Sequence, residues 1–309
     1  RKLHANEAVM TEKHTFIPGN TNVYNKDYSS YSLEDVCLEM SSLGKGDIRE
    51  PFIEVTYPNG SSTTDMVFDR AEIIQGKEEY DTLPGSYDDN GEVEQLVIYL
   101  KDRNYNLTLE IHYYVYEKCD IITRSAKLVN SGNESVRLER LMSMQLDLNE
   151  SDYELSFFNG AWAREMNRSR IPIRAGKYVN ESVTGTSSNR ANPFFMIGRS
   201  STTEDYGECY GFNLIYSGNH YEAAQVNSYG KLRLVSGINP ATFSYIIEAG
   251  KCFEAPEAVL TYSYKGYNRM SHNMHEFVRK HIVRGSWRDK ERPVLINSWE
   301  AAYFNINER

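Results

Sequence analysis

From Pro51 onward, apolar and polar residues alternate with a period of two, and turn residues break the pattern roughly every 10–15 positions for about two hundred residues. Period two is the signature of half-buried strands, since successive side chains of a strand point to opposite faces. Phe52–Tyr57 runs into Pro58-Asn59-Gly60, where Asn-Gly suits the positive φ values of a two-residue type I′ hairpin. Val93–Leu100 follows a second Asn-Gly at 90–91, and Leu107, Leu109, Ile111, Tyr113 and Val115 alternate strictly. Val136–Leu146 continues in this style, and the last such run is Val259–Ser263. Turn clusters, Asn130-Ser131-Gly132-Asn133 and Ser217-Gly218-Asn219, separate the runs. No amphipathic helix interrupts them, so the expected fold is all-β, built of large antiparallel sandwiched sheets and not of βαβ units. The first 35 or so residues, with Gly19, Asn20, Asn22, Asn25 and Asp27 among Tyr24, Tyr28 and Tyr31, read as a long surface loop.

The pattern changes once, near residue 270. Met270, Met274, Phe277, Val278, His281 and Ile282 fall at i, i+4, i+7, i+8, i+11 and i+12, one face of a helix, with Ser271 as its N-cap and Gly285 beyond its end. Arg292–Asn297 then forms a short apolar run of the kind that suits a strand buried on both faces of a parallel barrel. The expected organisation is a β domain over 1–269, a linker helix over 270–288, and the start of a barrel over 289–309, cut short after its first strand.

A net charge of -9, from 34 Lys and Arg against 43 Asp and Glu, disfavours a nucleic acid or an anionic membrane as partner. The longest apolar run is Leu96–Leu100, far short of the about 20 residues that span a bilayer. The chain opens on Arg1 without a leader pattern and reads as a processed or cut piece. Cys37, Cys119, Cys209 and Cys252 are scattered without ligand spacing. They read as free buried thiols of a reducing compartment, which places the protein in the cytoplasm. Gly44-Lys45-Gly46-Asp47 lacks the Ser or Thr of a phosphate loop, and the His272/His275 pair lacks further ligands. Neither a metal nor a cofactor is expected.

Glycosidase chemistry requires two carboxylates facing each other across a sugar. The acidic neighbours Asp88-Asp89 and Glu78-Glu79 sit in turn-like, polar contexts and read as solvated loop charge. Two clusters are denser. In Phe158-Asn159-Gly160-Ala161-Trp162-Ala163-Arg164-Glu165, Trp162 and Arg164 either stack on and hydrogen-bond a sugar ring, or Trp162 plugs the space between two sheets with Arg164 tied to a local carboxylate. In Asn297-Ser298-Trp299-Glu300, an aromatic at the C-terminal end of a barrel strand faces the mouth where such folds gather their site residues.

These clusters belong to a longer series: Gly46-Asp47-Ile48-Arg49-Glu50-Pro51, Leu83-Pro84 ahead of Tyr87, Ile121-Ile122-Thr123-Arg124-Ser125, Gly160–Glu165, Gly185–Ser188 through Asn192-Pro193-Phe194, Tyr210-Gly211-Phe212 with Tyr216–Asn219, Gly237–Pro240, Pro256-Glu257 ahead of Tyr262-Ser263, and Arg292–Ala301. In this order they resemble the N-terminal part of the α-galactosidases of glycoside hydrolase family 36, along nearly the whole chain. The resemblance implies a β-supersandwich, a linker helix and the first strand of a (β/α)₈ barrel. It implies that the nucleophile and the acid/base, both Asp on later barrel strands and about 5 Å apart for a retaining mechanism, lie outside these residues, so no catalytic residue is assigned. Trp299 corresponds to the family's pocket Trp after the first barrel strand, with Ser298 standing where Asn is common. Trp162, Arg164, Asp47 and Arg49 are the other substrate-binding candidates. The family also implies tetramers in which an N-terminal loop reaches a neighbour's active site, and the segment around Lys13, His14 and Phe16 departs from its pattern. The family's first few dozen residues are expected to be missing ahead of Arg1.

The leading expectation is thus the non-catalytic N-terminal region of an enzyme acting on α-galactosides of the melibiose or raffinose type, serving folding, oligomer contacts and part of the pocket wall. The competing readings are a stand-alone carbohydrate-binding sandwich that uses some of its 23 Tyr residues, or a sandwich without a ligand.

Overall fold

The computed structural model of the chain describes residues 33–308; the loop expected at the N-terminus lies outside them. Numbered along the chain, the strands are β1 (Ile53–Thr56), β2 (Met66–Gln75), β3 (Glu94–Asp102), β4 (Leu107–Tyr116), β5 (Ile121–Asn130) and β6 (Val136–Leu148). Next come β7 (Glu154–Asn159), β8 (Asn167–Pro172), β9 (Gly176–Glu181), β10 (Ala191–Gly198) and β11 (Cys209–Ile215). The series ends with β12 (His220–Val226), β13 (Leu232–Ile238), β14 (Tyr245–Ile247), β15 (Cys252–Glu254) and β16 (Glu257–Ser263). They form a ten-stranded sheet, ordered β2-β3-β4-β5-β16-β11-β10-β7-β8 with β15 beside β5, and a six-stranded sheet, ordered β1-β6-β13-β12-β9 with β14 beside β6. Every named strand pair is antiparallel.

The alternation read from the sequence sets the faces. Across β4 and β5, Leu109 faces Leu128 and Ile111 faces Ala126, and all four are buried against Phe52, Leu138 and Met142 of the smaller sheet and its approach. Further along, Phe195, Phe212 and Leu214 meet Met144, Leu232 and Leu234. One turn differs from its expected form. A type I′ hairpin needs positive φ at both central residues, but only Gly60 has it (φ +82), and Gly60 N–H donates to Tyr57 O at 2.8 Å. The chain then crosses over: β1 pairs with β6, while β2 pairs with β3 in the other sheet.

The outer face of the large sheet is covered by α1 (Gly266–Phe277), whose Met270, Met274 and Phe277 pack on Tyr116, Cys209 and Val259. The helix begins before Ser271, which lies inside it. Its first free N–H groups, those of Gly266, Tyr267 and Asn268, donate to the carbonyls of Gly207, Thr203 and Glu204, so the neighbouring loop satisfies the helix start in place of a side-chain cap. A five-residue π-helical segment, Val278–Ile282, continues α1, and a one-turn helix, α2 (Trp299–Ala302), follows near the end.

The run Arg292–Asn297, expected as a barrel strand, carries no ladder hydrogen bonds among the described residues, and Val294 is 100% exposed. A barrel strand exists only between two neighbours, and the described residues supply none. Of the thiols expected to be buried, Cys119 and Cys209 are, whereas Cys37 is half-buried and Cys252 is exposed on the three-residue β15. All four are free.

Phe277 is 1% exposed and joins α1 to the large sheet. Phe277→Ala should therefore cost about 3–5 kcal/mol, read as a lowered urea midpoint; a loss below about 1 kcal/mol would mean that the helix face is not part of the cooperative core.

Candidate functional site

Four places bear on function: the C-terminal segment with Trp299, the β7–β8 hairpin with Trp162 and Arg164, the cluster around Asp47 and Arg49, and an aromatic groove on the large sheet.

Trp299 opens α2, its backbone N–H donating to Asn297 Oδ1 at 2.8 Å. The residue is 49% exposed, and its ring lies edge-on to Tyr303 and Phe304 of its own segment at 5.2 and 5.1 Å between centroids. This is an aromatic surface with one free side, the form that stacks on a sugar ring.

Trp162 lies at the tip of the hairpin between β7 and β8 and is 90% exposed, so the inter-sheet plug is not what it does. The tip is held by reciprocal backbone bonds between Ala161 and Arg164 (3.2 and 2.9 Å) and by Glu165 Oε1 accepting from Ala163 N–H at 3.0 Å. Ala163 and Met166 both sit at positive φ (+59 and +55), a conformation that non-glycine residues adopt at a cost. The carboxylate thus shapes the turn, and the Arg164 side chain pairs with nothing among the described residues. Nothing there brings Trp162 into contact with Trp299.

Asp47 and Arg49 are placed differently from what was expected of sugar-binding residues. Their side chains are 2% and 0% exposed, inside a cluster with Asp147 of β6 and Arg233 of β13. Arg233 and Asp147 are cross-strand partners joined bidentately at 2.7 Å through Nε and Nη2. Arg233 also reaches Asp47 at 2.8 Å, and Arg49 reaches Asp47 at 2.9 Å and Asp147 at 3.2 Å. Arg49 further donates to the carbonyls of Leu33 and Val36. Two positive and two negative groups neutralise one another and fasten Leu33–Pro51 to the small sheet, leaving no surface for a sugar. This is a structural role, and the spacing of Asp47 and Arg49 could not reveal partners a hundred residues and more away.

The acidic loop residues are also accounted for. Asp88 accepts from Glu92 and Val93 N–H to close its own loop, and Glu79 pairs with Arg284 at 2.9 Å.

The groove, which no sequence motif announced, has a volume of about 1160 Å³. Its floor is the continuation of the face that buries Ile111: Tyr113 and Val115 of β4, Ile122 of β5, Leu260 and Tyr262 of β16, and Tyr210 and Phe212 of β11. Tyr210 and Tyr262 are register partners with rings 4.9 Å apart. Glu39, Gln145 and Arg124 form its polar side. Tyr at alternate strand positions was the available signal, but only the sheet order unites four strands into one surface.

Burial pushes the Asp47 carboxyl up, and Arg233 and Arg49 together outweigh this and hold it below the usual carboxylate range. Glu50 follows the same logic with Lys177 and Arg140. A folded value below the unfolded one means that the stabilisation is complete above the unfolded value, about pH 4, and is lost as pH falls through the folded value. The urea midpoint should therefore fall as pH drops below about 4. Asp147→Ala, which removes one of the two carboxylates that Arg233 and Arg49 share, should cost about 3–5 kcal/mol at neutral pH. A midpoint within error of the parent would show that the cluster is not a fastener.

Residues 1–248 match the model of the glycosyl hydrolase family 36 N-terminal domain, and residues 252–309 match the Melibiase model. The α-galactosidase AgaA of Geobacillus stearothermophilus is 39% identical over 280 residues, covering 90% of this chain and 38% of that protein. A crystal structure of an AgaA variant in complex with stachyose superposes with a TM-score of 0.91 at 37% identity, covering 96% of this chain and 41% of the other. An AgaA variant in complex with raffinose gives 0.91 at 38% identity, with 95% and 41% covered. The chain thus spans about two-fifths of the length of these relatives. On its sequence match, its antiparallel sheets and its close superposition, the chain belongs to glycosyl hydrolase family 36.

Proposed function

We propose that this chain is the N-terminal region of a retaining α-galactosidase that removes terminal α-linked galactose from oligosaccharides, with the catalytic pair supplied by barrel residues outside the 309 of this chain. The observation that carries this reading is the ordered match of both family models over one chain, the second running through Arg292–Ala301 with its half-exposed Trp299. Relatives of this architecture bind stachyose and raffinose, which supports α-galactosides of the raffinose or melibiose type as substrates.

In this reading the sandwich over 1–269 is the scaffold, 270–288 the linker, and 289–309 the opening of the barrel. Trp299 forms one wall of the pocket for the terminal galactose. Trp162 and Arg164 stand free at the hairpin tip, an arrangement suited to contacting sugar or a neighbouring subunit, and a tetramer follows from the family. Four free thiols suit a reducing compartment, and we place the enzyme in the cytoplasm. A second reading, a carbohydrate-binding sandwich, is favoured by one observation, the tyrosine-floored groove.

The 309-residue chain should not hydrolyse an aryl α-galactoside and should show no raffinose binding by calorimetry, whereas the chain extended through its barrel should be active. Turnover by the purified chain at enzyme-like rates would overturn the first reading, and raffinose binding to it without turnover would favour the second. In the extended enzyme, Trp299→Ala should lower kcat/KM by the equivalent of about 1–3 kcal/mol; an unchanged kcat/KM would remove Trp299 from the pocket.

A further inference from the structure

Leu83-Pro84-Gly85-Ser86-Tyr87 has no part in the candidate site, yet it lies in a loop of unusual construction between β2 and β3. The loop crosses the outer face of the large sheet and ends beside the exit of the linker helix. Its middle is anchored on Glu257, the first residue of β16, whose side chain is fully buried. Ser86 donates twice to this carboxylate, from its N–H (2.7 Å) and its hydroxyl (2.6 Å), and Thr123 donates a third bond. The Ser86 hydroxyl also meets Tyr116 Oη at 2.6 Å. The compensating charge is Lys77, fully enclosed, with its ammonium 3.6 Å from Glu257 and over the rings of Tyr80 and Tyr114 at 4.5 and 4.3 Å. Burial lowers the Lys77 pKa against the pull of Glu257. Gly85 makes the approach possible, since a Cβ there would stand 2.4 Å from the Tyr80 ring.

What this anchor holds is the next residue. A helix leaves its last carbonyls without intrahelical partners, and here Tyr87 takes that of His281 and, just past the helical segment, that of Val283. Its N–H donates to His281 O at 2.9 Å and its hydroxyl to Val283 O at 2.8 Å. His281 Nδ1 meets Tyr87 O at 3.0 Å. Arg284 lies over the Tyr87 ring at 4.4 Å, and Arg288 donates to the Tyr87 hydroxyl at 3.1 Å. From Lys290 to Ile306, no hydrogen bond or ion pair to the sandwich is made among the described residues. Ahead of Trp299, the departing chain is thus tied to the sandwich at residues 281–288.

We propose that the loop Leu83–Asp89, locked on Glu257 and presenting Tyr87 to the linker exit, is a clamp that positions the barrel opening, and with it Trp299, relative to the sandwich, and that Tyr87 is a positioning residue for the glycosidase reaction. The kinetic part of this proposal rests on the α-galactosidase reading; the clamp itself does not. Misplacing a substrate-contacting group by a fraction of an ångström lowers the rate without a matching loss of ground-state binding.

Tyr87→Phe keeps the ring and removes the hydroxyl bonds to Val283 and Arg288, with Tyr245→Phe, on an exposed ring of β14, as the control. In the 309-residue chain, hydrogen exchange over 281–288 should quicken about tenfold in Tyr87→Phe alone, with the urea midpoint of both variants close to the parent. In the enzyme extended through its barrel, Tyr87→Phe should lower kcat on raffinose at least about fivefold, with KM changed less than about twofold. Unchanged exchange at 281–288 would overturn the clamp. Faster exchange with unchanged kcat would overturn the positioning role while leaving the α-galactosidase reading intact. An extended parent enzyme without α-galactosidase activity would overturn that reading and the kinetic role built on it, and exchange in the 309-residue chain would still decide the clamp.

Discussion

A ten-stranded sheet stacked on a six-stranded one has more apolar face than its partner can cover. Burial of that face is the main stabilising term, so the surplus has to be covered by something other than the second sheet. Apolar surface outside the sheet-to-sheet contact is covered in three places. Leu33–Pro51 is drawn onto the small sheet, α1 lies across the outer face over Tyr116 and Val259, and the loop after β2 folds over Tyr80 and Tyr114. Where no cover is present among the described residues, the surplus shows as the tyrosine-floored groove between Tyr113 and Tyr262.

Two of these covers are fastened by buried charge. An isolated buried charge is costly, and a neutralised and hydrogen-bonded set is tolerated because its attractions act in a low dielectric. Asp47, Arg49, Asp147 and Arg233 satisfy this with two charges of each sign. Lys77 and Glu257 satisfy it with one of each, and Ser86 and Thr123 supply the remaining hydrogen bonds. Such fasteners are directional, as apolar contact is not, so they fix where a covering segment sits as well as that it sits. The consequence for function is indirect: the buried charges of this chain hold it together, while Trp299, Trp162 and Arg164 are left exposed or unpaired among the described residues.

Much of the fold was legible because its cause is local. The strand runs at 93–100, 107–115 and 136–146 became β3, β4 and β6, since alternation reports directly on a half-buried face. The stripe Met270, Met274 and Phe277 became the packed face of α1 for the same reason. The errors fall where a distant segment decides. The helix starts at Gly266 because carbonyls of the 203–207 loop receive its first N–H groups. The Asn59-Gly60 turn sends the chain to the other sheet, where β2 finds β3. Arg292–Asn297 is a different case: it is apolar enough for a barrel strand and matches the Melibiase model, and the neighbours it would pair with are not among the described residues.

An antiparallel β protein with one late helix follows from the residue pattern, and the family follows from the ordered motifs. Periodicity and turn chemistry act over a few residues and are therefore written into the chain. Where the charged and aromatic motif residues sit was decided in three dimensions. Asp47 and Arg49 look from the chain like ligands for a polar substrate, and become fasteners because Asp147 and Arg233 arrive from strands a hundred residues and more away. Trp162 reads from the chain either as a sugar-stacking ring or as a plug between the sheets, and stands in solvent at the tip of its hairpin. The same residue types serve either end, and which end they serve depends on the dielectric around them, which exists only once the sheets have met.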